Sequence, residues 1–195
     1  MSPGVLGDRF EKIYILSKRY NIPTIHLQTA LVLKTLLMAK KPSSILEIGC
    51  GAGASTEILN YSSDVLVDAV DANHIRIDLA QKNFKEFTNV RFHMKRGEEF
   101  LRSCEKKYDF VFVDSIKRHY QTIFYLLKDH LEEGALVLFD DFMFYGYFLE
   151  HECEIPPKYH LSIRELREFY GEIKENFKGS HMLLNIGNGL LVINL

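Results

Sequence analysis

Three cysteines in 195 residues are too few, and too scattered, for most of what cysteines do. Cys50, Cys104 and Cys153 are odd in number, far apart and never in CxxC spacing. That excludes a disulfide framework and a cysteine zinc site as expectations, and it fits a reducing compartment. Net charge is nearly absent too, at -2. No global pull toward nucleic acid follows, although a local basic patch stays open. Long apolar runs are missing: Thr29–Met38 is interrupted by Lys34 and is too short to span a bilayer. The first eight residues show no basic stretch leading into an apolar one, so no signal peptide is expected and a cytoplasmic protein is. There is no repeat and no low-complexity tract. What is present is ordinary globular material, 47% apolar and 26% charged, long enough for one domain with a substantial core.

Two helices are predicted first, over residues 8–20 and 25–39, separated by Asn21-Ile22-Pro23. Strands and helices then alternate. The strands fall at 44–48, 65–70, 90–94, 109–113 and 135–139. The helices fall at 55–60, 74–86, 97–104, 117–130 and 162–176. Strict alternation implies a mainly parallel sheet covered on both faces. The end differs. His181–Ile186, Gly187-Asn188-Gly189 and Leu190–Leu195 read as a hairpin. The expectation is a seven-stranded α/β sheet with one antiparallel strand.

The most informative stretch is residues 44–54. The apolar run Ile45–Ile48 ends in glycines at alternate positions, Gly49, Gly51 and Gly53, before a helical pattern from Ser55. A strand that feeds such a turn leaves backbone N–H groups facing a crevice. Ligands of these sheets bind at the carboxyl ends of strands, where strand order reverses. Asp71, at the tip of the second strand, is placed to grip ribose hydroxyls. Arg96-Gly97-Glu98, after the third, could hold an adenine. The glycines formally fit a dinucleotide fingerprint, so NAD is a rival. Glu47 has no task beside a pyrophosphate, the closing hairpin is unlike a dinucleotide fold, and no second half remains for a nicotinamide. S-adenosylmethionine (SAM), cationic and without phosphates, suits an acid-bearing crevice better.

The fourth strand ends at Asp114 and the fifth at Asp140-Asp141. If those strands are neighbours, three carboxylates meet at one sheet end, where a cation would relieve their repulsion. Oxygen ligands select Mg²⁺, Ca²⁺ or Mn²⁺. The alternative is that these aspartates cap turns. Lys117 is expected in the first turn of a helix, where it opposes the macrodipole. Beside a metal and a sulfonium its pKa would fall into general-base range. It reads equally as a solvated surface lysine beside Arg118 and His119. The aromatic run Phe142–Phe148 suits either stacking on a planar substrate or core and dimer packing. His26, His151, His160 and Cys153 lack metal spacing.

Together these segments resemble the cation-dependent O-methyltransferases, the group of catechol and caffeoyl-CoA methyltransferases. Ile45–Ser55, Asp109–Lys117 with Tyr120, Leu138–Phe142, Ile22-Pro23-Thr24 and Ile186–Leu190 carry the likeness, from about residue 10 to the end. Lys117-Arg-His-Tyr120-Gln121 is most similar to the bacterial tRNA 5-hydroxyuridine methyltransferase branch. The resemblance implies one SAM methyltransferase domain over residues 1–195, Rossmann-like, with helices of residues 1–40 packed on the core. It implies SAM contacts from Glu47, Ser55, Asp71, Gly97, Glu98 and Asp114, with the glycine loop. It implies a divalent cation, Mg²⁺ or alternatively Ca²⁺ or Mn²⁺, on Asp114, Asp140 and Asp141, with Lys117 taking the proton of a substrate hydroxyl. A homodimer is implied as well. The substrate would be 5-hydroxyuridine in a tRNA anticodon loop or a small catechol-like phenol, and a non-catalytic SAM-binding protein is a further alternative. Two departures stand out. Asp141 replaces the usual Asn, and most of the family's N-terminal helical extension is absent from the sequence.

Overall fold

The computed structural model describes residues 2–195. Seven strands form one sheet: β1 (Ser44–Ile48), β2 (Leu66–Asp71), β3 (Val90–Met94), β4 (Tyr108–Val113), β5 (Leu131–Phe139), β6 (His181–Leu184) and β7 (Leu190–Asn194). Their order is β3-β2-β1-β4-β5-β7-β6. β1 to β5 run parallel, and β7 is antiparallel to both its neighbours. β1 is flanked by β2 and β4, so the chain reverses its direction of travel across the sheet between them. That switch opens a crevice at the carboxyl ends.

Burial on both faces explains why the central strands are continuously apolar rather than alternating. One face carries α1 (Asp8–Arg19), α2 (Leu27–Lys40), α3 (Ala54–Leu59) and α4 (His74–Asn83). Phe10, Leu33, Leu37 and Ile58 pack there on Ile45, Val67 and Phe112. The other face carries α5 (Gly97–Ser103), α6 (Tyr120–Leu127) and α7 (His160–Asn176). Phe124, Leu127, Phe169 and Ile173 meet Leu46, Val111 and Phe139 there. Among the described residues no helix is long and apolar enough to cross a membrane.

Several boundaries differ from the sequence reading. α2 runs one residue beyond 39, and Lys41 then turns left-handed at φ 52° before Pro42, which a helix cannot continue into. α4 stops at Asn83 rather than 86, because Phe84 turns inward against Gly53 and Phe92. β5 starts at Leu131, four residues early. Gly134, at φ 72°, absorbs a register shift that pairs Tyr108 with Leu131 but Phe110 with Leu136. The predicted helix 117–130 is three pieces: a 3₁₀ turn at Lys117–His119, α6, and a second 3₁₀ turn at Lys128–His130. The hairpin strands are shorter than expected, because the carbonyls of Asn188 and Gly189 between them accept from the loop after β5.

Candidate functional site

A cleft of about 620 Å³ lies over the carboxyl ends of β1, β2, β4 and β5. The glycine loop forms its floor. Gly49, at φ 99°, lies so close to β4 that a Cβ there would overlap the Asp114 carbonyl oxygen. The contact is tied by Asp114 N donating to Ile48 O at 2.8 Å. Gly51, at φ 55°, faces the cleft. Gly53 does not: it caps α3, and a Cβ would meet Phe84 at 2.7 Å.

Asp71 fixes the loop. Its carboxylate accepts from Gly51 N at 3.0 Å and from Asn73 N at 2.9 Å, with Arg76 Nη1 3.7 Å away. Gly97 and Glu98 line the same wall. Glu98 Oε1 lies 2.5 Å from His119 Nδ1, a pairing across the cleft wall that left no mark in the sequence pattern. Glu47 sits behind the floor, fully buried, with Thr56 donating to Oε2 at 2.5 Å and Oε1 unpartnered. Ser55 is also buried outside the lining. Burial pushes the Glu47 carboxyl up to about 7 despite the lowering effect of the neighbouring Ser55 and Thr56 hydroxyls; Asp114 and Asp71 push the same way as burial.

The opposite wall holds Asp114, Lys117 and Asp141. β4 and β5 are neighbours, and Asp140 N donates to Val113 O at 2.9 Å, so the three aspartates do share one sheet end. Asp140 is 1% exposed, and its Oδ1 meets no donor. Burial and the facing carboxylates of Asp114 and Asp141 raise its carboxyl to about 8. Asp141 adopts φ 51°, a left-handed conformation that Asp and Asn tolerate better than other side chains. The Asn-to-Asp departure therefore preserves the turn.

Lys117 belongs to the 3₁₀ turn, not to the first turn of α6. In a 3₁₀ turn, residues three apart eclipse. Lys117 Nζ accordingly reaches Tyr120 Oη at 2.8 Å and Asp114 Oδ1 at 2.9 Å. Tyr120, fully buried, donates in turn to Asp140 O at 2.7 Å. Burial alone would lower the Lys117 pKa, but Asp114, Tyr120 and Asp141 outweigh burial, raise it and hold the ammonium form. The fall expected from the sequence belongs to a site that carries a metal and a sulfonium.

Among the described residues no three acidic, histidine or cysteine side chains converge closely enough to form a metal site. The donor chemistry still fits a hard cation, being all oxygen with one buried oxygen left without a donor. The hairpin completes the wall. Gly189 N donates to Ile186 O at 2.8 Å, closing the turn. Gly189 O and Asn188 O then accept from Phe142 N at 2.8 Å and Met143 N at 2.7 Å. Phe144 and Tyr145, both at positive φ, follow into the cleft lining, while Phe142 and Phe148 go to the core. The aromatic run thus divides between the two roles the sequence allowed. The remaining histidines and Cys153 lie outside the lining.

The O-methyltransferase family model matches residues 12–194. "Tapetum-specific methyltransferase 1" of Arabidopsis thaliana is 25% identical over 170 residues, 83% of this chain and 73% of the relative. The chain spans only 39% to 42% of three longer curated O-methyltransferases. A candidate caffeoyl-CoA O-methyltransferase from Staphylococcus aureus superposes with TM-score 0.84 at 21% identity, over 95% of this chain and 91% of the other. An O-methyltransferase from Bacillus cereus, solved with SAH, gives 0.82 at 19%, over 96% and 90%. These likenesses establish the fold.

Proposed function

Since the chain belongs to the O-methyltransferase family, we propose that it moves a methyl group from SAM to the hydroxyl oxygen of an acceptor bound in this cleft. The observation that carries the reading is the division of the cleft. A glycine floor with Asp71 and Glu98 faces Asp114, Lys117 and Asp141 across one opening. The first set offers backbone N–H groups and carboxylates to a nucleoside and an amino-acid moiety. The whole chain reads as one methyltransferase domain, with α1 and α2 part of its core.

Asp114, Asp140 and Asp141 are the residues that would hold a divalent cation. Such a cation, when bound, supplies the positive charge that acidifies an acceptor hydroxyl. The chain's own residues do the rest. The floor and Asp71 fix the donor, so that acceptor oxygen, methyl carbon and sulfur align; positioning supplies much of the acceleration. Lys117 is the side chain placed to take the acceptor's proton, once its bond to Asp114 opens and the ammonium has given its own proton to solvent. Gly189 and Asn188 hold the loop that walls the acceptor side.

An anionic acceptor such as a tRNA loop is favoured by Lys95, Arg96 and Arg118. All three line the cleft, and among the described residues none has a carboxylate within ion-pair distance. Lys106 is not part of that rim, being bound to Asp68 at 2.9 Å. A planar phenol is the second reading, favoured by Phe144 and Tyr145 in the lining. A homodimer and a reducing cytoplasm complete the proposal; the three free cysteines agree with the latter. The test is methyl transfer from labelled SAM to tRNA lacking the modification and, in parallel, to catechol, each with and without EDTA. Cation-dependent labelling of either supports the reading. SAM binding without transfer to any hydroxyl would leave a binding protein.

A further inference from the structure

The Lys117 ammonium sits where two carboxylates converge. Nζ lies 2.9 Å from Asp114 Oδ1 and 3.8 Å from Asp141 Oδ2. Its side chain is only 9% exposed, so water screens these contacts poorly. The third carboxylate, Asp140, is more deeply buried and keeps an oxygen without a donor. One positive charge thus occupies part of an acidic group that is still under-compensated.

We propose that Lys117 is the built-in counterion of these carboxylates, and that a divalent cation and the Lys117 ammonium compete for Asp114 and Asp141, so that loading the cation detaches the lysine. This rests on the reading that the three aspartates take a cation. Two positive charges against one carboxylate pair repel, and the cost is largest in a site closed to water. The lysine has somewhere to stay. Tyr120 Oη holds Nζ at 2.8 Å, and Tyr120 is itself anchored on Asp140 O at 2.7 Å. Letting go of the carboxylates therefore leaves Lys117 pivoting on one neutral partner beside the acceptor wall. The lysine is free of its carboxylate bonds only in a site that already holds its cation.

The experiment is titration of the cofactor-free protein with Mn²⁺ alone, followed by electron paramagnetic resonance. Lys117→Met removes the competing charge and should bind Mn²⁺ on the order of tenfold more tightly than wild type, the scale of one coupling between sites. Lys117→Arg, which keeps the charge, should not. Asp140→Asn added to Lys117→Met should abolish the gain, which locates the ion. Equal or weaker binding by Lys117→Met overturns the inference while leaving the cation reading intact. No Mn²⁺ binding by any variant or by wild type overturns both. Should Lys117→Met fail to fold, wild type decides: amine-reactive labelling of Lys117, read by mass spectrometry, should rise when Mn²⁺ is added, and unchanged labelling refutes the competition.

Discussion

Glu47 shows how burying a single carboxyl makes stability depend on pH. Its folded carboxyl titrates at about 7, well above the ordinary value of 4.5. A raised carboxylate pKa means the folded state binds the proton more tightly. Stability from this group is therefore full below about pH 4.5 and is lost as pH rises through about 7. The full difference is on the order of 3 kcal/mol. Glu47→Gln cannot ionise, so it should flatten this part of the curve and be the more stable form at pH 8. Urea denaturation at pH 5 and pH 8 checks it; an unchanged pH dependence in the variant contradicts it. Asp68 is the opposite case. Burial would raise it, but His93 at 2.7 Å and Lys106 at 2.9 Å, helped by Arg91, bring it down to about 2. Asp68 was not legible as anything but a strand residue. Its partners, Tyr108 Oη among them, come from 23 to 40 positions away and meet it through strand pairing, the loop before β4 and the first residue of β4. Lys117 was legible as a residue of interest, but its bonds to Asp114 and Tyr120 were not, because the sequence does not say which side chains it touches.

Elements were legible where periodicity and punctuation agreed. β1, with its glycine run, and β3 fall where the sequence put them. The helix expected over 117–130 failed because its first turn serves the cleft: a 3₁₀ turn eclipses Lys117 with Tyr120, and an apolar pattern alone cannot distinguish it from an α turn. The hairpin was recognised from Asn188-Gly189, yet its clamp on the loop after β5 was hidden, since backbone carbonyls leave no mark in a sequence. Gly189 is at φ 90°, and a Cβ there would come within 2.7 Å of Met143 N. Gly189→Ala should cost about 2 kcal/mol and free the β5–α7 loop before the sheet opens. Hydrogen exchange at the Phe142 and Met143 amides is the measurement. Protection as in wild type at both would show that the turn does not hold the loop.

At the scale of the molecule, the sheet order explains why residues scattered from 23 to 145 share one opening. Reversal between β1 and β4 leaves a gap at the carboxyl ends, and the loops that follow the strands beside it line that gap. Alternation of strands and helices made this architecture readable, and the terminal hairpin made it a sheet with one reversed strand. The ends of β4 and β5 also had to be neighbours for the aspartates to meet, and they are. The sequence could not show that Glu47, Gly53, Ser55 and Asp140 lie behind the lining rather than in it, because burial is set by packing across the sheet. The central claim is that the glycine floor and Asp71 hold the methyl donor. Calorimetric titration with S-adenosylhomocysteine tests it most directly. The account predicts one site per wild-type chain and affinity at least about tenfold weaker in Asp71→Ala, the scale of one lost charge-assisted hydrogen bond. Absence of binding to wild type, or equal binding by Asp71→Ala, would contradict it.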